Sequence, residues 1–142
     1  EATEQVTLAR RESSRPLAVT SPVGARFPVV LGASGAALLS QLDVSMIERH
    51  IAHAHEHQLW AHECEADLRA RIAACRERGI CENLGTHPRG IDTVSAPFSM
   101  RRGRFAVTLI GLHGDFDDNS LAECRAALRS ALNTINQTEA LA

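Results

Sequence analysis

Residues 29–39 read VVLGASGAALL. A β-branched pair gives way to Gly32, Ala33, Ser34 and Gly35, which carry almost no side chain, and then to a leucine pair in a helical run. A strand end passes here into a helix start, at a place where something must lie close to the backbone, because only small residues permit that approach. No lysine follows, so the phosphate-cradling GxxxxGK[ST] loop is excluded. Two occupants fit the stretch. One is the chain itself, in a close helix–sheet contact. The other is a ligand drawn to the free N–H groups and partial positive charge of a helix N-terminus.

The rest of the sequence limits the choice. At 142 residues and 44% apolar content the chain reads as one globular domain, 1–142, able to build a core. No apolar run approaches a membrane span and no signal segment is read, so a cytoplasmic protein is expected. The formal net charge is -2 and every basic residue is an arginine; the arginines are scattered, which gives no nucleic-acid footprint. Arg101, Arg102 and Arg104 bracket Gly103 as a solvated hairpin turn would. Cys64, Cys75, Cys81 and Cys124 form no CxxC pair, which argues for reduced thiols rather than a zinc ribbon or a disulfide framework.

Periodicity gives the element order. Val6 and Leu8, then Leu17 and Val19, alternate with polar neighbours and predict two strands pairing through ESSRP. A short helix is expected from about Ser34 to Leu42. Ser45 and Glu48 have capping-box spacing ahead of an apolar stripe of Ile47, Ile51 and Ala54. A loop is expected around 58–62. ADLRARIAACRERG predicts an amphipathic helix with Leu68, Ile72 and Cys75 inward and Gly79 beyond its end. ICENLG, IDTVSAPFSM and RFAVTLIGL predict three strands, the last two a hairpin through RRG. SLAE, residues 120–123, has capping-box spacing before a last helix whose Leu121, Leu128, Leu132 and Ile135 share a face. Hairpins beside helices predict an α+β fold with helices packed on an antiparallel sheet.

Four segments now carry a resemblance. GARFPVVLGASGAALLSQL, LRARIAACRERGI, HPRGIDTVSAPF and AVTLIGLHGDF stand in the order and spacing of the C-terminal domain of IclR-type transcriptional regulators. The resemblance covers nearly the whole chain. It implies a GAF-like α+β fold, a small-molecule effector, and dimers or dimers of dimers. It also implies operator DNA bound only through an N-terminal winged helix that this sequence does not contain. No cofactor and no catalysis are implied.

The resemblance places the effector pocket between the sheet and the entrance of the small-residue helix. Its polar positions fall on Ala33 and Ser34 after Gly32, on Asn83, on Thr93, and on Thr108 and Ile110. Alternation puts Thr93 and Ser95 on one strand face, and Thr108 and Ile110 on one face of theirs. Asn83 is neutral where the family commonly has an acid, and Ile110 is apolar where a small hydroxyl is common. The implied ligand is therefore a somewhat larger carboxylate, aromatic or aliphatic.

Two other patterns carry chemistry. HIAHAHEHQLWAHEC offers His50, His53, His57, His62 and Cys64 as possible zinc ligands, but without closed-site spacing, and the histidines flank the apolar stripe as a solvated face does. No metal is expected there, and a metal-responsive binding module on this segment, residues 50–64, is the alternative to an effector-sensing domain. DFDDNS alternates carboxylates but lacks the glycine and glutamate of a calcium loop, so its acids are assigned to the N-terminus of the last helix. No serine or cysteine has a sequence-identifiable base, so an enzyme is not expected. Trp60, the single tryptophan, is assigned to the core, with a subunit interface as its alternative.

Overall fold

The computed structural model describes residues 2–14, 19–86 and 89–141. The elements run β1 (Glu4–Val6), β2 (Arg26–Pro28), α1 (Gly32–Leu39), α2 (Val44–Glu56), α3 (Glu65–Arg78), β3 (Cys81–Leu84), β4 (Ile91–Met100), β5 (Gly103–Leu112) and α4 (Asp118–Leu141). All strand pairs are antiparallel: β1 with β2, and β3–β4–β5 as a three-stranded sheet. The fold is α+β, as the order of periodicities predicts. Among the described residues no helix is long and apolar enough to cross a membrane.

Alternation along β4 sorts its side chains to two sides. Val94 and Ala96 join Ile80, Leu121 and Leu128 in one buried cluster, with Val107, Leu109, Phe116 and Leu132 packed on it. This is the α4 side. The opposite side meets α1, whose Ala33, Ala36 and Ala37 lie in a second cluster with Ile47, Ile51, Leu68, Ile72, Cys75 and Cys81. That cluster joins α1, α2 and α3 to the sheet.

Several local expectations are corrected. β1 pairs with Arg26–Pro28 in the register Gln5↔Phe27, not with a strand around residues 17–24. Of that segment Leu17 lies outside the described residues, and residues 19–25 form no strand. The link survives as isolated bonds, the Gly24 N–H to the Thr7 carbonyl at 2.8 Å and Thr7 Oγ1 with Ser21 Oγ at 2.9 Å among them. α1 begins at Gly32 and ends at Leu39. Neither serine capping box forms. Asp43 caps α2, its Oδ1 accepting from the Met46 N–H at 2.9 Å, while Ser45 donates to that same carboxylate and Glu48 instead binds Arg69. At α4 the Asp117 carboxylate accepts from the Ser120 N–H at 2.7 Å. In both cases an aspartate two or three residues upstream captures the orphan N–H groups before the serine can. These bonds hold both carboxyls below the ordinary aspartate range, the Ser45 hydroxyl being the largest cause at Asp43 and the Ser120 N–H at Asp117. Gly79 ends α3 at φ +73°, as its position predicts. Of the DFDDNS acids, Asp117 caps the last helix and Asp118 lies in its first turn, while Asp115 accepts from the Leu112 N–H. Trp60 packs on the core cluster.

Candidate functional site

The opening stretch is explained first by the chain's own backbone. A Cβ on Gly35 would stand 2.2 Å from the Val29 carbonyl oxygen, so the helix and the segment before it touch at a point where only glycine fits. Gly32 takes φ +73°, which glycine adopts freely. Its N–H is not free: it donates to Glu63 Oε1 at 2.9 Å. The other oxygen of Glu63 accepts from Arg71 Nη1 at 2.5 Å, and both side chains are buried, 7% and 9% exposed. The helix entrance thus already holds a carboxylate. Charge, helix dipole and guanidinium compensate one another in a dry place, where a lone charge would be expensive.

Ser34 does not stand open either. Its Oγ donates to Gln5 Oε1 at 2.7 Å, and Gln5 Nε2 donates to the carbonyls of Pro28 and Leu31 at 3.2 and 3.0 Å. Ala33 is buried, and its carbonyl accepts from the Cys81 thiol at 3.2 Å. The neighbouring Cys75 thiol, together with burial, pushes the Cys81 thiol well above its ordinary value, so Cys81 stays a protonated donor.

Strand register brings the remaining positions together. Cys81, Ser95 and Thr108 stand side by side across β3, β4 and β5, and Asn83, Thr93 and Ile110 form the next rung. Ser95 Oγ and Thr108 Oγ1 share a hydrogen bond of 2.8 Å. Asn83 is buried, and its Oδ1 accepts from Thr86 Oγ1 at 2.5 Å. Thr93 Oγ1 is different. It is buried and, among the described residues, meets no hydrogen-bond partner. Leaving a buried hydroxyl unpaired costs about 1–3 kcal/mol, so this atom is either a cost the fold tolerates or a contact awaiting its partner. The five strand positions therefore share one sheet face, and Ala33 meets that face through Cys81. Gly32 and Ser34 are engaged by Glu63 and Gln5, two residues that sequence reasoning did not reach. No local pattern announces a contact between residues 31 positions apart.

Two surface clefts lie elsewhere. One, of about 270 Å³, is lined by Arg78, Ile80, Glu82, Arg125 and Arg129; the other, of about 630 Å³, lies between α2 and α3 over Ile47 and Ile72. Neither includes any of the eight positions.

The histidine segment separates into parts. His50 is buried with the apolar stripe of α2, and His62 and Cys64 are exposed past the turn. Cys64 donates to Asp67. His55 accepts from the Trp60 indole N–H at 3.2 Å through Nδ1, which leaves Nε2 to donate to Glu65 at 2.7 Å. The five-residue set is therefore not a site. Only His53 and His57 stay close, with ring centroids 4.2 Å apart.

Across residues 1–137 the sequence matches the family described as bacterial transcriptional regulator IclR C-terminal. The chain belongs to that family. Its members are transcriptional regulators rather than enzymes. Similar solved structures include a transcriptional regulator of Rhodococcus sp. RHA1, with TM-score 0.82 and 23% identity, covering 99% of this chain and 60% of that one. An IclR regulator of Alicyclobacillus acidocaldarius gives TM-score 0.78 at 18% identity, covering 94% and 55%. The effector domain of an IclR regulator of Acinetobacter sp. ADP1 gives 0.71 at 19%, covering 89% and 75%. At such identities the likeness speaks for the fold alone. The chain spans between half and two thirds of the first two regulators' length. Among curated proteins none matches the sequence.

Proposed function

We propose that this IclR C-terminal domain senses a small organic acid or aromatic metabolite on the sheet face covered by α1. The observation that carries the reading is the buried, unpartnered hydroxyl of Thr93, flanked by Asn83 and Ile110 and one rung from the Ser95–Thr108 pair. A ligand carboxylate or hydroxyl meeting Thr93 Oγ1 satisfies the polar atom left unpaired there among the described residues. Gly32, Ala33 and Ser34 form the helix entrance above it.

In the described conformation α1 covers this face with buried alanines. A ligand that binds there selects an arrangement with α1 further from the sheet, and its differential affinity for that arrangement is the signal. In the family's architecture such a shift passes to a dimer or tetramer, and from there to operator DNA through an N-terminal winged helix. We assign this chain the sensing and oligomerising part of that scheme, in the cytoplasm.

The test is a thermal-shift screen with aromatic and aliphatic carboxylic acids. A ligand that binds only the native state raises the melting temperature by mass action. The expected result is a hit whose shift disappears in Thr93→Val while the variant's own melting temperature holds. A hit of unchanged size in Thr93→Val and Ser95→Ala puts the ligand elsewhere.

A further inference from the structure

We propose that the last turn of α2 is a divalent-metal site formed by His53, Glu56 and His57. The positions are i, i+3 and i+4, which an α-helix places on one side as neighbours. Each offers one ligand atom, and these three atoms lie within 4.8 Å of one another. His57 Nε2 stands 3.9 Å from Glu56 Oε2. Among the described residues it is the one such group of three. An ion about 2.0–2.2 Å from each imidazole nitrogen and from the carboxylate needs its ligand atoms roughly 3.5 Å apart, which modest side-chain rotation supplies.

The surroundings favour a cation. The site sits at the C-terminal end of α2, the negative end of the helix dipole. The backbone then turns through Gln58 at φ 54° and Ala61 at φ 50°, left-handed values that a non-glycine residue rarely takes. Neighbouring histidines do not compete: His55 is held by Trp60 and Glu65, and His50 is buried. Two imidazoles and one carboxylate suit zinc, nickel or copper rather than magnesium or calcium, which take oxygen ligands. Three protein ligands leave a coordination position for water or a further group. With Glu56 and His57 exposed, the ion exchanges with solvent, so the site responds to free metal and is not a permanent structural clip. This assignment does not depend on the effector reading, because it shares no residue with the sheet face.

Isothermal titration of the 142-residue chain with zinc chloride tests it. The expected result is saturable heat with one ion per chain at micromolar zinc, and none with magnesium chloride. His53→Ala and His57→Ala each weaken binding by at least about 10-fold, the loss found on removing even an outer-shell partner. Glu56→Gln weakens it less, and His62→Ala leaves it unchanged. Circular dichroism checks that the variants keep their helix content. Absence of saturable heat in the native chain, or zinc binding that survives the double change His53→Ala with His57→Ala, overturns the proposal.

Discussion

The two faces of the β3–β4–β5 sheet are built on opposite plans. On the α4 side, Val94, Ala96, Leu121 and Leu128 form a buried apolar cluster, and the one buried polar side chain that alternation adds to that face of β4, Asp92, lies at its end, bound to His113 and the Gly114 N–H. On the α1 side, the helix offers alanine and glycine, and the sheet answers with Asn83, Thr93, Ser95 and Thr108. Small side chains of α1 lie over hydroxyls and an amide there, and the Cys81 thiol bonds the Ala33 carbonyl. The α4 face is made to hold. The α1 face carries a polar layer that adds little to stability and leaves one hydroxyl unpaired, the arrangement of a surface kept for chemistry rather than for cohesion.

That contrast is broken most severely at Gly35. Gly35→Val drives a side chain into the Val29 carbonyl, and soluble folded protein is expected to be lost, as seen by circular dichroism on whatever expresses. Next comes Leu128→Ala on the other face. It removes a 3% exposed anchor and leaves a cavity, so urea unfolding should show a loss of about 2–5 kcal/mol. Ser95→Ala breaks one buried hydroxyl pair and should cost about 1 kcal/mol by the same measurement. Thr93→Val sharpens the comparison by its sign. Removing an unsatisfied hydroxyl should leave stability unchanged or raise it by up to about 1 kcal/mol; a clear loss would mean that Thr93 has a partner in solution. The smallest effect concerns pH. Asp117 has a depressed carboxyl in the folded chain, so its contribution is present above the ordinary aspartate value and is lost as pH falls through the lowered one. Asp117→Asn should flatten the acid end of the stability–pH profile, measured by thermal melts from neutral to acid.

The sequence was most informative where periodicity and burial agree. The β4–β5 hairpin, α3 with Gly79, and the leucine face of α4 were all legible, because each element's apolar period matches what it packs against. The pairing of the five strand positions in two rungs follows from strand alternation once the register is known. The failures were local competitions and distant contacts. Asp43 and Asp117 outcompeted Ser45 and Ser120 because a carboxylate is the stronger acceptor for helix N–H groups. β1 pairs with Arg26–Pro28, and the described residues 19–25 ahead of that strand form no strand of their own. Glu63 and Arg71 read as ordinary surface charges in a turn and on a helix. Only the fold shows that Glu63 meets the Gly32 N–H in a buried place and that Arg71 pairs with it there.

Gln5 has a consequence of its own. One amide grips the carbonyls of Pro28 and Leu31 and the hydroxyl of Ser34, so a single side chain on a three-residue strand spans both sides of the turn into α1. Gly35 against Val29 makes that turn and helix a single stiff piece. Mechanically, β1 is tied to the helix entrance through Gln5, so the two are expected to move as one body.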